Sequence, residues 1–218
     1  MSCVICEKRK EKRFCPAVHG RICAQCCGEQ REVTLDCPSD CPYLRQAREH
    51  EKPRALGDLE NVELFPEVEI GDQFVYEHEH LLIGLSFALT KSVRNDRTLT
   101  DADLLSALTS LVKTYDTLVN SGLHYEIPIA GTARQAIAAE VQLLLKEYRE
   151  TEQKNLGYSR LRDADVLRAL VFLLRMGHVH TSGRPKSRAF AEFVSSQFAV
   201  KEPIIATPEE SGSRLILP

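Results

Sequence analysis

Eight cysteines fall between Cys3 and Cys41, and none follows in the rest of the 218-residue chain. Their order is Cys3-x2-Cys6, Cys15, Cys23-x2-Cys26-Cys27 and Cys37-x3-Cys41, closely spaced pairs separated by loops. Zinc takes four ligands in a tetrahedron, and a tight turn between nearby cysteines lets both sulfurs reach one ion without straining the backbone. Eight thiolates suit two ions. The other use of so many cysteines is a disulfide framework in a secreted chain, yet Met1-Ser2-Cys3 leads straight into a ligand pair with no apolar signal segment. Reduced, metal-bound thiols in a cytoplasmic protein are therefore expected.

The cysteines also define a folding problem. A segment as short as residues 1–55 buries too little apolar surface to stand alone, whereas a structural zinc supplies on the order of 10 kcal/mol of apparent folding energy. Beyond it, a chain that is 43% hydrophobic overall has material for an ordinary core. The sequence predicts a mainly α protein in four parts: a zinc-binding module over residues 1–55, a connector over 56–71, an α-helical bundle domain over 72–200 and a flexible tail over 201–218. Charge divides with the domains. Residues 1–55 carry 11 Lys/Arg against 8 Asp/Glu, and the remainder carries 17 against 23. The apolar run Leu81–Leu89 is far short of the roughly 20 residues needed to cross a bilayer, so no membrane span is expected.

The pairing of ligands turns on Cys26 and Cys27, which are adjacent and point in different directions, so that one can serve each ion. His19 offers a different eighth ligand, giving the ladder Cys3-x2-Cys6, Cys15-x3-His19, Cys23-x2-Cys26, Cys37-x3-Cys41. In that order, and opening with Cys3-Val4-Ile5-Cys6-Glu7, the module resembles the cross-brace class of zinc fingers, which includes RING, MYND and HIT fingers. The resemblance implies interleaved sites, with Cys3, Cys6, Cys23 and Cys26 on one ion and Cys15, His19, Cys37 and Cys41 on the other. Two departures stand against the RING version: the last pair has three intervening residues, and Cys27 is left over. An all-cysteine set, Cys3, Cys6, Cys15, Cys23, Cys26, Cys27, Cys37 and Cys41, uses every thiol and is preferred here. The stretch from Phe14-Cys15-Pro16 through Cys26-Cys27-Gly28 to Cys37-Pro38-Ser39-Asp40-Cys41-Pro42-Tyr43-Leu44 is also similar to bacterial proteins with an N-terminal zinc finger and a C-terminal helical domain. That likeness carries no activity with it.

Zinc held by four thiolates has no open coordination position, which favours a structural over a catalytic metal. The loop Lys8-Arg9-Lys10-Glu11-Lys12-Arg13 places five cations beside the first pair. They suit either a solvated loop or contacts with phosphates or an acidic protein surface. No aromatic residues interleave with them to stack on bases.

In the C-terminal part, apolar spacing predicts helices from Asp72 to about Val93, from Asp101 to about Val119, from Ala133 to Lys154 and from Asp163 to Met176. Thr100-x-x-Asp103 has capping-box spacing, and Asn120-Ser121-Gly122 ends the second helix. The fourth is apolar on most of its circumference and should be central. The helix starts Asp101-Ala102-Asp103-Leu104-Leu105-x-Ala107-Leu108 and Asp163-Ala164-Asp165-Val166-Leu167-x-Ala169-Leu170 repeat at an offset of 62 residues. Either a duplicated helical hairpin or a chance likeness of Leu/Ala-rich starts accounts for it. A basic turn, Ser182–Arg188, then precedes a short amphipathic helix bearing Phe190, Phe193, Val194 and Phe198 that should dock on the bundle. Arg214–Pro218 could enter a partner's groove, although a disordered end accounts for it as well.

Glu77-x-x-His80 has the i, i+3 spacing of di-iron bundles, but Glu140, Glu147 and Glu150 on the third helix bring no matching histidine, so an ordinary polar face is expected. His178 and His180 suit a helix C-terminus. No phosphate-binding glycine loop or nucleophile elbow is present, and no enzymatic activity is expected. The reading is a zinc-binding cytoplasmic protein acting through an unidentified protein partner as an adaptor or regulatory factor. The alternatives are a nucleic-acid-binding regulator using Lys8, Arg9, Lys10, Lys12 and Arg13, with Arg184, Lys186 and Arg188 as further cations, and, from the RING resemblance, a ubiquitin ligase with Ile5 on its platform.

Overall fold

The computed structural model describes residues 1–51 and 68–198. The expectations for residues 52–67 and for the tail beyond 198 lie outside the described residues. The chain opens with a turn at Cys3–Cys6, closed by the Glu7 N–H donating to the Cys3 carbonyl at 2.8 Å. Two three-residue strands follow, β1 (Arg13–Cys15) and β2 (Gly20–Ile22), paired antiparallel with Cys15 opposite Gly20. A single 3-10 turn, Pro16–Val18, joins them and ends on His19 in a left-handed conformation, φ 47°. Helix α1 (Ala24–Gln30) starts at once, and a loop over residues 31–41 leads to α2 (Pro42–His50), where Cys41 is the N-cap and Pro42 opens the first turn. Ile22, Leu35 and the cysteines themselves make up the interior of this module, so it carries little aliphatic core.

Among the other described residues there are six helices: α3 (Asp72–Glu77), α4 (Glu79–Asn95), α5 (Asp101–Ser121), α6 (Thr132–Leu156), α7 (Asp163–His180) and α8 (Ala189–Ser196). The fold is mainly α, as expected, with its main core among α4 to α8. Helix α5 packs most extensively on α7 and α4 on α6, while α8 lies across α4 and α7. The apolar stripes read from the sequence are the buried ones: Leu81, Leu82, Leu85 and Leu89 on α4, Leu104, Leu108, Leu111 and Val112 on α5, Ile137, Val141 and Leu145 on α6. Helix α7 is buried along most of its length from Val166 to Leu174, which makes it the central helix.

Two helix boundaries differ from the expectation. The helix foreseen from Asp72 is broken at His78, whose ring stacks on Phe74 at 4.4 Å, donates from Nδ1 to the Phe74 carbonyl at 3.1 Å and lies 3.8 Å from Asp165 at the start of α7. These side-chain contacts and a backbone at φ −112°, ψ 21° interrupt the helical run. At the other end, α7 continues through Gly177 to His180. Gly177 is there for space: a Cβ on it would sit 2.6 Å from Leu105 Cδ2 and 3.0 Å from Phe190 Cε1. His180 stacks face to face on Phe193 at 3.7 Å, and burial holds its imidazole below its ordinary pKa.

The module and the bundle meet along a polar seam. Arg48 of α2 reaches both Glu32 in the module, at 2.7 Å, and Glu192 on α8. The turn between α7 and α8, residues 181–188, fills the space between the 28–36 segment and the start of α5, where the Asp101 N–H donates to the Ser187 carbonyl at 2.8 Å.

Candidate metal centre

Four of the eight cysteines are gathered by three local devices. Cys3 and Cys6 sit on the first turn, which Glu7 closes in a left-handed conformation at φ 53°. Pairing of β1 with β2 brings the chain back so that Cys23 follows Ile22 directly beside that turn, and the Val4 N–H donates to the Arg21 carbonyl at 3.1 Å. Cys23 is the N-cap of α1, its sulfur accepting the Cys26 N–H at 3.4 Å, and Cys26 occupies the first helical turn. The sulfurs of Cys3, Cys6, Cys23 and Cys26 all lie within 4.8 Å of one another, with Cys6 and Cys23 4.0 Å apart. A tetrahedral zinc with Zn–S bonds of about 2.3 Å needs S···S edges of about 3.8 Å, so this set fits a metal ion.

The electrostatics agree with that fit. Burial alone raises the Cys3 thiol, but N–H groups of Cys6, Cys23 and Ile5 directed at its sulfur outweigh burial and bring it down to about 6. The Cys26 N–H, and after it the Arg9 guanidinium, lower the Cys23 thiol against its burial. Cys26 behaves oppositely: burial, together with Cys23, Cys6 and Cys3 crowded around it, pushes it up to about 12. Four thiolates could not share so small a volume without a cation, and a divalent ion held there would favour loss of the last proton. N–H donors near the sulfurs and one adjacent guanidinium favour thiolates here, as outer-shell groups of a metal site do.

The other four cysteines form a separate group. Cys15, Cys27, Cys37 and Cys41 line one small cavity of ≈ 10 Å³ together with Ile22, Leu35 and Leu44. That is about the room taken by one water-sized body. Burial, with Cys41 and Cys15 nearby, raises the Cys37 thiol, while the nearby Glu32 backbone N–H opposes the rise. Among the described residues only the first set closes to within 4.8 Å. Cys26 and Cys27 face the two separate groups, as adjacent residues on a helix must. His19 is exposed and does not line the cavity.

The remaining sequence candidates are dispersed. Of the five loop cations, Arg9 lies beside the Cys23 sulfur, whose presence raises its pKa, and Arg13 lies over the Tyr43 ring at 4.6 Å, while Lys8, Lys10 and Lys12 are exposed. Ile5 is half-buried against the module interior. Glu77 and His80 fall on different helices, both exposed, and Glu140 pairs with Lys91. Glu147 and Glu150 are exposed on α6. Arg184, Lys186 and Arg188 do not form a free basic patch: they bond, respectively, the Gly28 and Arg31 carbonyls, the Thr34 carbonyl and the Asp36 carboxylate. No described helix is long and apolar enough to cross a membrane.

No family model, curated protein or solved structure matches this chain.

Proposed function

We propose that the protein binds two structural zinc ions in an interleaved arrangement and acts in the cytoplasm as a non-enzymatic adaptor or regulatory factor for another protein. One ion is held by Cys3, Cys6, Cys23 and Cys26, the other by Cys15, Cys27, Cys37 and Cys41. The observation that carries the zinc reading is the first set of sulfurs, all within 4.8 Å of one another. The second set is supported by four thiols lining one cavity of the right size, and Cys27 is favoured over His19 because it lines that cavity and His19 does not. Two sets of four thiolates leave no open coordination position, which supports a structural metal. The adaptor reading is supported by apolar side chains left at the surface. Ile83 and Phe87 are exposed one turn apart on α4, and an open groove of ≈ 520 Å³ on α6 is lined by Leu144, Tyr148 and Leu156.

Metal stoichiometry by native mass spectrometry tests the ligand assignment. The wild-type chain should hold two zinc ions, His19→Ala two, and Cys27→Ser one. Two ions in Cys27→Ser with one in His19→Ala would reverse the assignment. A nucleic-acid reading is favoured by one observation, the exposed trio Lys8, Lys10 and Lys12 beside the first site. Binding of single-stranded or duplex nucleic acid that weakens steeply with salt would support it, and no binding at low salt would exclude it.

A further inference from the structure

The segment between Cys27 and Cys37 has two functions at once. Thiols of the second set stand at both its ends, and along it lie the acceptors for the turn between α7 and α8. Arg184 Nη1 donates to the Gly28 carbonyl at 3.1 Å and the Arg31 carbonyl at 2.7 Å, satisfying acceptors that the end of α1 leaves open. The Lys186 N–H donates to the Glu32 carbonyl at 2.8 Å and its Nζ to the Thr34 carbonyl at 2.8 Å, and Arg188 pairs with Asp36 at 3.0 Å.

Glu32 is where the two functions meet. Its N–H is close enough to the Cys37 sulfur to lower that thiol against burial, its carbonyl receives the Lys186 N–H, and its buried carboxylate receives Ser182 Oγ at 3.1 Å and Arg48 at 2.7 Å. The residue adopts φ 54°, a left-handed conformation that a non-glycine residue avoids unless its surroundings impose it. On the opposite side of the turn, the fully buried Ser187 donates from Oγ to Asp101 Oδ2 at 2.6 Å. The turn is thus clamped between the module and the start of α5.

We infer that metal binding by Cys15, Cys27, Cys37 and Cys41 and docking of the 182–188 turn form one linked equilibrium. The inference rests on the two-ion reading above. An ion that fixes Cys27 and Cys37 holds the segment between them in the conformation that receives the turn. By reciprocity the docked turn tightens that site by the same factor, while the first site, built from the Cys3–Cys6 turn and the start of α1, is the internal control.

The test uses the full chain loaded with zinc, with ions counted by native mass spectrometry and amide hydrogen exchange followed in the same samples. Cys37→Ser should hold one ion and exchange the Lys186 and Ser187 amides about tenfold faster or more, within the range usual for coupled sites, with α4–α6 core amides unchanged. The same two amides exchanging as in wild type after loss of one ion would refute the linkage and leave the two-ion reading standing. Arg184→Ala touches no sulfur and supplies the reverse measurement. One of its two ions should be lost to a competing chelator at about tenfold lower chelator concentration, the other as in wild type. Unchanged retention of both ions overturns the inference, and a single ion in the wild-type chain overturns the two-ion reading together with it.

Discussion

Replacing Glu32 with alanine removes the one charge on which the seam between module and bundle converges. Its side chain is 3% exposed and receives Arg48 at 2.7 Å and Ser182 Oγ at 3.1 Å. Stripping one partner from a buried ion pair costs about 3–5 kcal/mol when the survivor is left uncompensated. Arg48 is not left so, because its other arm bonds Glu192 and its side chain retains 19% exposure. The smaller figure for a charge-assisted hydrogen bond therefore applies, about 1.5–3 kcal/mol, with about 1 kcal/mol more for Ser182. Alanine meets the same penalty as glutamate at φ 54°, so the backbone adds nothing. Glu32→Ala is expected to lose about 2.5–4 kcal/mol in urea unfolding followed by far-UV circular dichroism at fixed excess zinc, and Glu32→Gln about half of that, because its single amide oxygen keeps the acceptor contact to Arg48 but not the second one, which the carboxylate makes to Ser182 Oγ. With Arg48→Ala the double mutant should fall short of additivity by about 1.5–3 kcal/mol. A loss under about 0.5 kcal/mol with both ions retained, or strict additivity, refutes the account of the seam.

Three other outcomes follow from the structure. Gly177→Ala should destabilise by about 1 kcal/mol, because an overpacking cost of about 1–3 kcal/mol against the fully buried Phe190 exceeds the roughly 1 kcal/mol helix-propensity gain. A thermal melt showing Gly177→Ala more stable than wild type contradicts the packing argument. Burial raises the Asp165 carboxyl, but the two-pronged bond from Arg162 and the nearby His78 hold it below the usual carboxylate range. A depressed folded pKa means stability that is present above the unfolded value of about 3.9 and is lost as pH falls through the folded one. Asp165→Asn should therefore be weaker than wild type at pH 6 and show a shallower fall in urea midpoint on acidification; identical pH slopes would sink this assignment. Removing zinc with a strong chelator should unfold residues 1–41 and leave the α4–α7 core folded, since the module interior is mostly cysteine. Continued hydrogen-exchange protection of the Cys27 and Arg31 amides in the metal-free chain is the contrary result.

What was legible in the sequence was what depends on near neighbours. The cysteine pairs announce metal because ligand spacing is local, and Cys3, Cys6, Cys23 and Cys26 do come together. Helices α5 and α6 match their expected spans to within two residues because caps and apolar period mark them, with Gly122 in the left-handed conformation that ends α5. What was not legible depends on distant partners. The break at His78 follows from contacts that include Asp165, and the helix expected to stop at Met176 runs on because Gly177 leaves room for Leu105 and Phe190, which nothing local indicates. Strands of three residues show no alternation, so β1 and β2 carried no signal. Arg184, Lys186 and Arg188 read as a solvent-facing basic turn, because nothing local indicates acceptors some 150 residues earlier in the chain.

The repeated helix starts show why the module sits at one end of the bundle. Like packs against like, α5 on α7 and α4 on α6, which is the arrangement two hairpins related by a twofold axis would give. The second acidic residue of each start follows the same rule. Asp103 at the start of α5 pairs with Arg134 at the start of α6, and Asp165 at the start of α7 faces His78 at the start of α4. The first acidic residue breaks it. Asp163 is partly exposed and bonds Arg149 of the neighbouring helix, whereas Asp101 is 1% exposed and holds Ser187 Oγ and the Ala191 N–H. Equivalent residues in equivalent helices thus differ because the turn and α8 cover one start and leave the other open. A helix N-terminus with a buried carboxylate satisfied by two donors is a fixed anchor, and the turn it anchors is the one that binds the Cys27–Cys37 segment. The cover of turn and α8 over the start of α5 determines where the cysteine module attaches.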